Sequence, residues 1–77
     1  MAMGFRESSM WLRPHAGPLA REALSAIGQP SAVEGITIEL YAGAYTLNGA
    51  AVSEADASLV YNASRCDPHR FGPEPAT

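Results

Sequence analysis

The 77-residue sequence contains no lysine and only one cysteine, Cys66. A single cysteine cannot form an internal disulfide, so the chain lacks the framework that stabilises small secreted domains. It also lacks the uninterrupted apolar run of about 18 residues that a transmembrane helix needs. The opening stretch, "MAMGFRESSMWLRPH", is interrupted by an acid and polar residues where a secretory signal would be apolar. We therefore expect a soluble, cytoplasmic protein that does not enter a membrane.

Positive charge is also scarce. The five basic residues are all arginines spread along the chain, against eight acidic residues, and the net charge is −3. Residues 31–64 carry four acids and no base. Nucleic-acid binding needs clustered cations that displace counterions from phosphates, and scattered arginines do not supply such a cluster. The composition thus argues against direct binding to DNA or RNA.

The hydrophobic core that this chain can build is small. A domain of this length buries only about 60–65% of the surface of its unfolded chain. Hydrophobic residues make up 47% of the sequence, but 14 of them are alanines, which bury little area. Burial against a partner, or against a second copy, would add to a thin stability margin.

Two segments have the pattern of short helices, at about residues 18–27 and 54–64. The first begins at Pro18, carries apolar residues at helical spacing, and ends before Gly28, which suits a left-handed C-terminal position. The second follows Ser53, a good N-terminal capping residue.

The segment "GITIELY" alternates with a period of two, which predicts a half-buried strand at residues 36–41. The alternation changes phase at Gly43, which favours a hairpin with residues 44–47; a single strand bulged at this glycine is the alternative. The dipeptide Asn48-Gly49 predicts a further tight turn into a short segment at 50–52.

These elements predict an α+β fold in which a two- or three-stranded antiparallel sheet, with its hairpin at about 36–47, packs against two short helices. Residues 1–67 would form one domain with a partly irregular N-terminal arm, in which "SSMWLR" fits a strand, a helical turn or an arm that lays Trp11 on the core. Residues 68–77, rich in proline and glycine, would form a tail.

The segment "RCDPHRFGP" brings together residues that can bind metals or act as nucleophiles. A zinc ligand set is conceivable from Cys66, Asp67, His69 and His15. This set is minimal, however, and lacks a second closely spaced pair of ligands. A reactive thiol at Cys66 would follow a helix C-terminus, where the dipole disfavours a thiolate. We therefore predict a helix end and a tail, with no metal, cofactor or catalytic residue.

The side chains on the outward side of the predicted hairpin are the candidate binding residues. If Ile36, Ile38 and Leu40 face the core, their alternating neighbours face solvent, and tyrosine is frequent at the centres of protein interfaces. Acids at the start of the second helix add negative charge nearby. The predicted partner-binding residues are Thr37, Glu39, Tyr41, Tyr45, Glu54 and Asp56.

The function that remains is a small, acidic, non-enzymatic protein-binding module. It would be an inhibitor or adaptor that covers a surface of a larger protein, and in one version its acids would compete with phosphates for a nucleic-acid-binding surface. Inhibitors of host defence, including anti-CRISPR proteins of viruses and mobile elements, share this size and charge class but no motif with it. The first alternative is a subunit of a homo-oligomeric structural assembly, and the second is a small Cys/His metal-binding module. A homodimer is also compatible with the sequence.

Overall fold

The computed structural model describes residues 9–68, which form a four-stranded antiparallel sheet and two helices. The elements in chain order are β1 (Ser9–Arg13), α1 (Pro18–Ala26), β2 (Ile36–Tyr41), β3 (Ala44–Leu47), β4 (Ala50–Val52) and α2 (Glu54–Cys66). The predicted α+β class and both helices are confirmed. The sheet has four strands, where two or three were predicted, because the short segments at 9–13 and 50–52 both join it.

The strands follow one another across the sheet in the order β1-β2-β3-β4, and each neighbouring pair is antiparallel. β1 pairs with β2 over its full length, with Trp11 opposite Ile38. This pairing resolves the ambiguity of the N-terminal stretch: Trp11 lies on the core, and the segment that carries it is a strand.

Two tight turns connect the last three strands. Ala42 and Gly43 have φ angles of 52° and 80°, and Asn48 and Gly49 have φ angles of 50° and 86°. Two consecutive residues with positive φ are typical of the turns that suit two-residue hairpins. The Asn48 side chain also accepts a hydrogen bond from the Thr37 amide at 2.8 Å. The predicted hairpin is therefore confirmed, and its strands join without a bulge.

Helix α1 ends as its sequence predicts. Gly28 adopts a φ of 79°, and the Gln29 amide donates to the Leu24 carbonyl at 2.9 Å. This backbone bond closes the last turn, where the Leu24 carbonyl also accepts from the Ile27 amide at 3.2 Å.

The first turn of α1 is capped from a distance by Asp67, which follows α2. Its carboxylate accepts hydrogen bonds from the amides of Leu19 at 2.7 Å and Ala20 at 2.9 Å. The residue at the N-cap position, Gly17, has no side chain to do this, and a Cβ there would lie 2.4 Å from the Asp67 carboxyl carbon. Glycine is therefore needed at position 17 to admit the carboxylate.

The core lies between one face of the sheet and the two helices. Its largest fully buried side chains of apolar type are Leu24, Ile36, Ile38, Leu47 and Val60. At its margin the rings of Trp11 and Tyr61 meet edge to face, with centroids 4.9 Å apart, and the Arg65 guanidinium lies 5.6 Å from the Tyr61 ring centre. The Trp11–Tyr61 contact joins β1 to α2, whereas the Arg65–Tyr61 contact lies within α2.

The predicted domain of residues 1–67 and the predicted tail of residues 68–77 both extend beyond the described range. Pro68 is the one tail residue within it, and its carbonyl accepts a hydrogen bond from Arg13 Nη2 at 2.9 Å. Among residues 9–68, neither helix has the length and apolar character required to cross a membrane.

Candidate binding surface

In the part of the chain that the structure describes, both helices pack on one face of the sheet, and the other face points away from them. Alternation and strand register place eight side chains on this outward sheet face: Met10, Leu12, Thr37, Glu39, Tyr41, Ala44, Thr46 and Ala51. Large apolar groups contribute much of it, since Met10 is 53% exposed, Leu12 60% and Tyr41 70%. An exposed cluster of this kind is a common feature of protein-binding surfaces.

Glu39 lies near the centre of this face, with Met10 opposite on β1 and Thr46 opposite on β3. The Thr46 hydroxyl donates to Glu39 Oε1 at 3.4 Å, and no other side chain among residues 9–68 bonds this carboxylate. None of the eight side chains is basic. Among residues 9–68, the face therefore presents a carboxylate whose charge no cation on the same face balances.

Tyr41 ends β2, next to the Ala42-Gly43 turn. Its cross-strand neighbour, Ala44, is too small to cover the ring, so most of the ring surface is exposed. Tyr41 and Glu39 are two residues apart on one strand, so their side chains point to the same side, within reach of one ligand group. The sequence predicted this outward placement of Thr37, Glu39 and Tyr41, and the structure shows all three there.

Tyr45, which was predicted to share the outward face, lies on the core face. The two-residue turn sets Tyr41 opposite Ala44 and consequently Leu40 opposite Tyr45. Residues directly opposite in a sheet point to the same side, and Leu40 is buried. Tyr45 packs against the core beside it. The alternation of Tyr45 with the buried Leu47 was the signal in the sequence that could have shown this.

Glu54 and Asp56 belong to the helical layer. Both lie in the first turn of α2, where the Asp56 amide donates to the Ser53 hydroxyl at 3.1 Å. Acids in this position stabilise a helix through its dipole. The structure thus gives these two residues a local role, and it separates them from Glu39, which is on the opposite side of the sheet.

Met10 and Leu12, the two large aliphatic members of the outward face, were not predicted, because no local pattern assigns their segment to a strand. An apolar groove between α1 and α2 was not predicted either. It has a volume of about 350 Å³ and is lined by Leu19, Glu22, Ala23, Ala26, Leu59, Ala63 and Cys66. Leu19 is 41% and Leu59 47% exposed beside it, although both fall in predicted apolar stripes.

The cysteine-containing segment does not form a metal site among the described residues. No group of three potential ligands comes together within residues 9–68, and His69 lies outside this range. Cys66 is exposed at the end of α2. Both carboxylate oxygens of Asp67 accept backbone hydrogen bonds, so this residue serves as a helix cap.

Comparison of the chain with models of protein families, with curated proteins and with solved structures found no match.

Proposed function

We propose that this protein is a non-enzymatic binding module that covers a surface of a larger protein through its outward sheet face. The observation that carries the proposal is the exposure of Met10, Leu12 and Tyr41 around Glu39, on the side of the sheet that the helices leave open. Burial of these three large side chains in a complex removes apolar surface from water, which contributes favourable free energy to association. The sole cysteine suits a reducing, cytoplasmic setting.

The chemistry of the face indicates a basic partner surface. Glu39 offers a carboxylate with no cation from residues 9–68 on the same face, and Tyr41 offers an exposed ring two residues away. An arginine is well suited to this pair, because its planar guanidinium can bind a carboxylate and stack on an aromatic ring. Met10 and Leu12 would then pack against apolar groups beside that arginine. The protein would act as an inhibitor or adaptor, with occlusion as its mechanism.

The alternative mechanism, in which the acidic residues imitate a row of phosphates, has less support. It needs several carboxylates on one surface, whereas Glu39 is on the outward sheet face and Glu54 and Asp56 are in the first turn of α2. We therefore propose a contact with one central charge surrounded by apolar groups. Such a contact weakens only moderately as salt is raised, because its apolar part is insensitive to screening.

The test compares variants in a pull-down from the source cell or its natural host, followed by affinity measurement with the captured protein after purification. Tyr41→Ala and Glu39→Arg remove the two central groups from exposed positions, so the fold should be retained. Leu59→Ala is the matched control, because it truncates an exposed leucine in the helical layer. If Tyr41 is a hot spot, its truncation costs about 2 kcal/mol, or about a 30-fold loss of affinity.

The expected result is that both sheet-face variants lose the partner and that the control retains it. Capture that is unchanged by Tyr41→Ala and Glu39→Arg would contradict the proposal, as would an equal loss in Leu59→Ala. Circular dichroism melting of each variant establishes that a loss of binding is not a loss of structure.

A further inference from the structure

The first strand, β1, forms one edge of the sheet. It pairs with β2 on one side, and among residues 9–68 no strand lies along its other side. Edge strands present unpaired N–H and C=O groups to which another strand can bind. The opposite edge of the sheet, β4, is only three residues long, whereas β1 has five. β1 is therefore the edge better able to extend the sheet.

Within residues 9–68, this edge lacks the usual protection against pairing. Natural edge strands are commonly blocked by lysine, proline, a bulge or a charge in the middle of the strand. β1 contains no lysine or proline, and its register with β2 is unbroken. Its one charged residue, Arg13, is the last of the strand, and the guanidinium donates to the carbonyls of His15 at 3.4 Å and Pro68 at 2.9 Å.

We propose that β1 pairs in antiparallel orientation with β1 of a second copy, about a two-fold axis at Trp11. This register places Met10 of one copy opposite Leu12 of the other, and position 9 opposite position 13. Exposed apolar groups then meet each other on the outward side, and no like charges are opposed. A register centred on Leu12 would instead bring Pro14, which has no N–H, into the ladder.

The resulting dimer has one continuous eight-stranded sheet, with both helical layers on the same side. Five-residue strands bury less than the roughly 1,200 Å² of a standard stable interface, so the dimer forms and dissociates with concentration. Its formation does not depend on the partner proposed above. The dimer would place two outward sheet faces side by side and make the module bivalent for such a partner.

The test measures the mass of the purified protein by analytical ultracentrifugation from about 10 μM to about 1 mM, a range that captures weak association. Two double variants probe the register. Both contain Met10→Lys, which places an ammonium opposite Glu39 within the same copy. The second substitution is Leu12→Lys in one and Leu12→Glu in the other, opposite the neutral Thr37 in each case.

In the proposed register, position 10 of each copy lies opposite position 12 of the other copy, so the dimer contains this pair twice. Leu12→Lys therefore sets like charges against each other, and Leu12→Glu sets opposite charges together. We expect the dissociation constant of the dimer to differ by at least about tenfold between the two, with Leu12→Glu the tighter. A wild-type mass that stays monomeric over the whole range would overturn the proposal, as would equal dissociation constants for the two doubles. No partner is present, so this result is independent of the test of partner binding.

Discussion

Replacing Asp67 with alanine removes the carboxylate that joins the end of α2 to the beginning of α1. The residue is 5% exposed, and its two oxygens accept hydrogen bonds from the amides of Leu19 and Ala20. In the alanine variant both amides lose their acceptor, and the Ala20 amide is buried, where water replaces a lost partner poorly. Gly17 offers no side chain as a substitute.

The expected loss follows from these two bonds. A hydrogen bond to a charged group contributes about 1.5–3 kcal/mol, and removal of a helix N-cap costs about 0.5–2 kcal/mol. Because the two bonds share one acceptor group, their contributions are not fully additive, and we expect a loss of about 2–4 kcal/mol. A chain of this length has a total stability of about 4–11 kcal/mol. The melting temperature should therefore fall by about 10–25 °C.

The assay is urea and thermal unfolding followed by circular dichroism, on Asp67→Ala, Asp67→Asn and the control Glu34→Ala. The asparagine oxygen can replace one acceptor but not both, so this variant should lose about half as much stability. Glu34→Ala removes the same charge from an exposed position and should change stability by less than about 0.5 kcal/mol. A loss in Asp67→Ala no larger than that of the control would refute the reasoning.

Two further substitutions should stabilise the fold. Ala42 has a φ of 52°, which costs a non-glycine residue about 1–2 kcal/mol, so Ala42→Asn, which tolerates this conformation, should add about 0.5–1 kcal/mol of unfolding free energy. A loss of stability in urea unfolding would contradict the assigned turn. Ser64 is fully buried, and its hydroxyl has no hydrogen-bond partner among residues 9–68. Ser64→Ala should therefore add about 1 kcal/mol in the same assay, and a decrease would show that the hydroxyl is bonded.

The elements that could be predicted from the sequence are those whose signals are local. Asn48-Gly49 combines two residues that tolerate positive φ, and the same turn is found in the structure. Gly28 ends α1 for the same reason. The alternation of residues 36–41 correctly placed Glu39 and Tyr41 on the outward side, because a period of two needs no knowledge of the partner strand.

What could not be predicted depends on residues far apart in the chain. β1 becomes a strand by pairing with β2, more than twenty residues later, and no feature of its own five residues selects a strand over a helical turn. The cap of α1 by Asp67 joins residues 48 positions apart. In the sequence, Asp67 instead lies between Cys66 and His69, where local spacing suggests a metal ligand.

Residues on the outward sheet face and at the edge of β1 tolerate substitution better than a buried residue such as Asp67 does. Met10, Leu12 and Tyr41 are more than half exposed, so their replacement removes little buried area, whereas Asp67 is enclosed by the fold. Stability and binding can therefore be varied separately. A background carrying Ala42→Asn and Ser64→Ala would raise the stability margin without altering any of the eight outward side chains. In that background, a loss of partner binding by Tyr41→Ala can be attributed to the missing ring on the outward sheet face, because the added stability would keep the fold intact.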